Sequence, residues 1–285
     1  MTERLRISAI RFLNPSPLMW DFEHPPEMHR LAEHYHIHRS MPSQCATELA
    51  AGVADIGLIP IAAYATIPGL AIIPGCTIAS LDRVRSILLV VKHPGGMTEV
   101  RSVAADTASR TSNAYAQTIV RKFYGTDPRF MPHAPHLDAM LAHCDAAVLI
   151  GDPALLALED RAARLDRTGE TLQYLDLAEE WKRHTGAPWV SAFWAVRPDA
   201  IQAGLTPSQV TEDFIQSRDH GIAHVEDLVQ EWAPRLPVPA STIRTYLSQN
   251  IHYVLDEPCI AGIELFFRYA AECGVLPAAP PLRWL

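Results

Sequence analysis

Apolar residues run with partial alternation from Leu5 to Leu13 and stop at Asn14-Pro15-Ser16-Pro17. This pattern predicts a strand, a short loop and a helix capped by Ser16, with Pro17 at its first position. A similar unit follows. Tyr35 to Arg39 is a short strand candidate, and Met41-Pro42-Ser43 opens a helix with Ala46, Leu49 and Ala50 on one face. Gly52 stands where a C-terminal glycine cap belongs. "ADIGLIPIAAYA" then reads as a buried strand ending at Pro60, with a further turn.

Val84 to Lys92, "VRSILLVVK", is a strong strand pattern, and the breaker cluster His93-Pro94-Gly95-Gly96 marks passage into a second lobe. There the unit recurs: "RSVAAD" as a strand, "TASRTSNAYAQTIVRKFYG" as a capped helix ending near Gly125, and "DAAVLIGDPALL" as a buried strand turning at Gly151-Asp152-Pro153. Strands alternating with helices predict a mostly parallel sheet with right-handed crossovers. After Leu175 an amphipathic helix leads through Gly186-Ala187-Pro188 into the strand Trp189 to Val196, the expected return crossing. From Thr206 onward the pattern is mainly helical.

Composition narrows the class. The chain has 285 residues, 48 % hydrophobic and 20 % charged, enough to bury a sizeable core. Cys45, Cys76, Cys144, Cys259 and Cys273 are odd in number and contain no C-x-x-C pair, which argues against a disulfide framework or zinc ribbon and for a cytoplasmic home. The start, MTERLRISAIRF, does not read as an export signal. Ile56 to Leu81 is uncharged and long enough to span a bilayer, but prolines and glycines cut it into strand-length pieces, so no membrane association is expected. A net charge of −8, spread along the chain, argues against nucleic acid, and an anionic small ligand would need local positive charge.

His34, His36 and His38 alternate, and a strand would place them on one face, yet no ligand at suitable spacing completes a metal shell; solvated histidines are the better reading. His133, His136 and His143 have nothing to orient them. Dinucleotide, Walker, G-x-S-x-G and H-E-x-x-H motifs are all missing. What stands out is "SRTSNA", residues 109 to 114. Ser109, Thr111, Ser112 and Asn113 gather at a helix start beside Arg110, an arrangement suited to a carboxylate or phosphate, although simple helix capping explains the same residues equally well. Asn14-Pro15-Ser16 and Met41-Pro42-Ser43 also lie just past strand ends, where open α/β sheets bind ligands, and three such loops point to one polar cleft.

The segments "FLNPSPL", "ADIGLIPIAAYATIPGL", "RSILLV", "SRTSNAY", "LIGDPAL" and "DLAEEWKRHTGAPWVSAFWAVRP" together resemble the MqnA-type chorismate dehydratases of the futalosine route to menaquinone, from about Ile7 to Gly274. Departures are Phe12 for the more usual tyrosine and Asn113-Ala114-Tyr115 for an aliphatic V-A-L. The resemblance implies an α/β, type II periplasmic-binding-protein-like fold. Its first lobe would comprise residues 1–92 and 189–285, its second lobe residues 93–188, and Val84–Lys92 and Trp189–Val196 would be the hinge strands flanking a ligand cleft. It also implies a carbon-oxygen lyase that needs no cofactor, acts on the dicarboxylate chorismate and works as a monomer or homodimer. The 1,4-dihydroxy-6-naphthoate synthases share the fold, but their opening loop resembles "SPCPND" and fits less well; a non-catalytic solute-binding domain is the other alternative.

Carried onto this chain, the resemblance makes Asn14 the catalytic position, although an asparagine before proline also forms an Asx-type turn, and a carboxamide is a poor base. Arg110, Thr111 and Ser112 are expected at the ring carboxylate, and Ser43 and Ser86 at the other carboxylate or the hydroxyl. Asp152, in the G-D-P-A-L block, completes the substrate-binding set. Arg85 alternates with Ser86 on the presumed crossing strand, and the resemblance favours Ser86 as the one facing the ligand.

Overall fold

The structure is a computed structural model describing residues 4–93, 95–201 and 205–285; Pro94, in the expected breaker cluster, lies outside the described residues. Its strands are β1 (Leu5–Ile10), β2 (Tyr35–Ser40), β3 (Ile56–Pro60), β4 (Ala71–Ser80), β5 (Ile87–Val91), β6 (Ser102–Asp106), β7 (Arg129–His133), β8 (Ala146–Ile150), β9 (Gln173–Asp176), β10 (Trp189–Val196) and β11 (His252–Leu255). They form two sheets, one in the order β11-β4-β10-β3-β1-β2 and the other in the order β7-β6-β8-β5-β9. Both sheets contain one motif. A first strand, β1 or β6, lies between two parallel neighbours, and the third of these strands pairs antiparallel with a strand that arrives from the other lobe, β10 or β5. The recurrence predicted from the hydrophobic pattern is therefore present.

Two expectations need correcting. The sheets are mixed rather than mostly parallel, because the strand entering from the opposite lobe runs against its neighbours, as do β4, β9 and β11 in their pairings. Neither hinge strand spans the lobes. β5 is buried along its whole length between β8 and β9, so residues 87–91 go with the inserted lobe and not with the first lobe as the boundary at 92 had it. The chain crosses at residues 81–86 and returns at 186–188. The first crossing is pinned by Asp176, whose carboxylate accepts from the N–H groups of Val84 and Arg85 at 3.3 and 2.6 Å. The same carboxylate caps the helix Leu177–Thr185 through Ala178 and Glu179. Burial nevertheless raises its pKa, since desolvation outweighs these donors. Arg85 sits at φ 64, which ends the extended run and turns the chain into the second sheet.

The apolar core continues from one lobe into the other. Tyr115, on the second-lobe helix Thr111–Phe123, stacks on Trp189 of β10 and on Phe266 of the helix Glu257–Glu272, with ring centroids 3.8 Å away in each case. Trp181 meets the Tyr115 ring edge-on. Tyr115 thus joins the second-lobe helix to the first lobe's core. Among the described residues no helix is long and apolar enough to cross a membrane; the uncharged run from Ile56 becomes β3, a short helix and β4.

Candidate functional site

A cavity of about 430 Å³, its open mouth included, lies between the lobes. Its wall is built from the carboxyl ends of strands: Ile10, Phe12 and Asn14 after β1, Pro42 after β2, Pro60 closing β3, Ser109, Thr111 and Ser112 after β6, and Ile150 and Gly151 at the end of β8. Ser86 comes from the crossing, Ile87 from the start of β5, Ile78 from β4, and Ser191 and Ala192 from β10. Parallel strands deliver their following loops to one edge, so the topology itself assembles this cleft.

The opening loop is held by its backbone and its neighbours. Ser16 N–H donates to the Leu13 carbonyl at 3.1 Å, and Leu13 N–H donates to Asp152 Oδ1 of the other lobe at 3.1 Å. Asn14 lines the cavity, and its Oδ1 is buried and accepts nothing, so no Asx turn holds the side chain. Ser16 does not cap a helix. The turn Ser16–Met19 is 3₁₀, Pro15 occupies the cap position, and the Ser16 hydroxyl is buried without a partner.

On the opposite wall, Asp106 accepts from Ala108 N–H at 2.8 Å and from Ile150 N–H at 3.3 Å, locking the loop after β6 to the end of β8. Asn113 Nδ2 donates to the carbonyls of Asp106 and Ser109, tightening the same loop. Ser109 Oγ caps the helix Thr111–Phe123 by accepting from Ser112 N–H at 3.1 Å, and Thr111 Oγ1 accepts from Ala62 N–H across the lobes at 3.1 Å. Capping and a cleft-facing helix start are therefore realised together.

Ser86 Oγ accepts from Tyr246 OH at 2.7 Å, which leaves the serine's own proton free to donate; burial raises the tyrosine pKa and keeps that donor protonated. Gly151 N–H donates to the Ser86 carbonyl at 2.7 Å. Gly151 has φ 61, and a Cβ there would come within 2.6 Å of the Phe12 ring, so this turn packs directly under the opening loop.

Four of the seven expected site residues thus line one cavity: Asn14, Ser86, Thr111 and Ser112. The other three do not. Ser43 staples the lobes together instead, its N–H donating to the Ala108 carbonyl at 3.1 Å and its hydroxyl to the Thr107 carbonyl at 3.2 Å. Arg110 is exposed and turned outward, its Nη2 donating to Thr47 Oγ1 at 3.0 Å. Asp152 stands behind the loop, clamping Leu13, and burial pushes its carboxyl up to about 6 against the opposing pull of the Leu13 N–H and Arg11. Pattern reading did not place Ser191 or Tyr246, because their sequence distance from the loops hides their position. Ser191 Oγ accepts from Trp189 Nε1 at 2.7 Å.

None of the described residues lining the cavity is ionisable. Hydroxyls, one carboxamide and the positive end of a 13-residue helix supply its polarity. Of the alternating histidines, His36 and His38 are exposed, and His38 pairs with Glu48 at 2.8 Å.

A family model described as menaquinone biosynthesis matches residues 5–272. Among solved structures, protein AF1704 from Archaeoglobus fulgidus superposes with a TM-score of 0.69 at 16 % identity, over 96 % of this chain and 99 % of that one. The periplasmic aliphatic sulphonate binding protein SsuA from Escherichia coli gives 0.61 at 16 % identity, over 100 % and 94 %. A Candida albicans protein, the CA3427 gene product, described as having the generic periplasmic binding protein fold, gives 0.63 at 14 % identity, over 98 % and 92 %. At these identities the likeness is one of fold.

Proposed function

Because the chain belongs to the menaquinone-biosynthesis family, we propose that it is a chorismate dehydratase, a hydro-lyase that converts chorismate to 3-[(1-carboxyvinyl)oxy]benzoate and water in the interlobe cleft. The observation that carries the reading is the buried, unpartnered amide oxygen of Asn14, a residue that lines a cavity whose other wall includes a helix N-terminus. A buried acceptor left unused costs about 1–3 kcal/mol unless a ligand supplies a donor. The hydroxyl that chorismate loses is such a donor.

Chorismate carries a ring carboxylate, an enolpyruvyl ether and a neighbouring hydroxyl. Removing the proton from the ether-bearing carbon and expelling the hydroxyl makes the ring aromatic, and the expelled group leaves as water. As the proton departs, negative charge spreads toward the ring carboxylate. Thr111, Ser112 and the helix start behind them stabilise that charge in this reading. Ser86, its oxygen already engaged by Tyr246, donates to the second carboxylate or to the leaving hydroxyl. Asn14 orients that hydroxyl. Since no ionisable side chain lines the described cavity, the base in this proposal is the substrate's own enolpyruvyl carboxylate. Arg110 takes no part, and Ser43 and Asp152 act on the cleft's frame. A cytoplasmic setting belongs to the same reading, consistent with five free cysteines.

Incubating the purified protein with chorismate alone, and following it by chromatography, tests the proposal. Conversion to the enolpyruvyl benzoate is expected. Unchanged chorismate that still raises the melting temperature would mark a capture module, and conversion of a cyclic futalosine derivative instead would mark a naphthoate synthase.

A further inference from the structure

Behind the opening loop lies a second, more open depression of about 1110 Å³. Arg11 and Ser16, which line it, flank Phe12 and Asn14, which line the catalytic cleft, so one thickness of chain separates the two. Its charges do not balance. Three arginines, Arg11, Arg39 and Arg235, meet two glutamates there: Arg39 holds Glu23 in a two-pronged pair at 2.9 and 2.6 Å, and Glu231 Oε1 lies 2.6 Å from His24 Nε2. Arg11 and Arg235 are exposed and form no ion pair with any described residue. In a chain of net charge −8 this is a local surplus of positive charge.

Two further features point to a ligand. The Ser16 hydroxyl, in a residue only 3 % exposed, lines the depression with no hydrogen-bond partner. The indole of Trp232 forms part of the wall, with the Arg235 guanidinium 5.7 Å from the ring centroid. His24, also in the wall, is fixed by stacking on Trp20 with ring centroids 3.8 Å apart. Guanidinium forks match carboxylates, and an indole face matches a flat ring. We infer that this depression is a second binding site, for a small planar ring bearing carboxylate groups. Arg11 and Arg235 hold the carboxylates, Ser16 adds a hydroxyl, and Trp232 covers the ring. The site is independent of the reaction proposed for the cleft.

Isophthalate titrated calorimetrically at low salt is the probe. Binding to the wild-type protein is expected to disappear in Arg235→Glu and to weaken about tenfold in Trp232→Leu, a loss near 1.4 kcal/mol. Inorganic phosphate at matched ionic strength is expected to bind far more weakly than isophthalate. No binding to the wild type at millimolar concentration would overturn the inference. So would binding that both variants retain in full, and so would phosphate binding as tightly as isophthalate, which would remove the need for a ring. Both substituted residues lie at the surface of the depression, and unchanged melting temperatures would show that the variants fold.

Discussion

Asn14 owes its position to its neighbours' backbone groups, and the most telling of them is the bond from Leu13 N–H to Asp152. A carboxyl with a folded pKa of about 6, against about 3.9 when unfolded, favours the folded state only while protonated. Its contribution is therefore complete below pH 4 and lost as pH rises through 6. Asp152→Asn keeps an acceptor for Leu13 and removes the titration. Denaturant unfolding of wild type and variant at pH 4 and pH 7.5 is expected to show the variant gaining on the wild type by about 2–3 kcal/mol over that range; a constant difference would remove Asp152 from the account. Some residues were legible by position alone: Asn14, Thr111 and Ser112 follow strand ends, and in a parallel unit strand ends converge. Arg110 was not. Its charge suggests an anion site, but the direction of a long side chain at a helix start depends on what lies nearby, here Thr47.

At the scale of elements, hydrophobic patterning located the first and second α/β units, because their strands are buried on both faces and their loops begin with turn residues. It did not show which sheet β5 joins, since a fully buried strand looks the same in either lobe. The helical third hid two elements that matter: β11, an edge strand four residues long, and the wide π-type turn Tyr246–Asn250 that brings Tyr246 to Ser86. The opening loop also depends on the long helix Pro207–Ala223. Gly221 of that helix touches the turn Ser16–Met19 so closely that a Cβ would fall 2.0 Å from the Pro17 carbonyl oxygen. Gly221→Ala is expected to destabilise the protein by at least about 2 kcal/mol in urea unfolding, because a backbone atom cannot swing aside. A loss below about 0.5 kcal/mol would show that the helix and the turn separate easily.

On the scale of the whole molecule, the resemblance seen in scattered motifs and the two-sheet fold agree, and the family match covers almost all of the chain. The fold alone is shared with a protein described as an aliphatic sulphonate binding protein, so the fold does not by itself decide between capture and catalysis. The lobes share one apolar core through Tyr115, Trp189 and Phe266, and Ser43 and Thr111 bond across the gap, which holds the two walls of the cleft in register. In that frame we propose that Asn14 acts on bound chorismate. The most direct test is the single-turnover rate at saturating chorismate for wild type, Asn14→Ala and Asn14→Asp, with melting temperatures recorded alongside. Rates at least about 10²-fold lower are expected in Asn14→Ala at nearly unchanged stability, the scale seen when one preorganised transition-state hydrogen bond is removed. Rates near wild type in both variants would rule that role out.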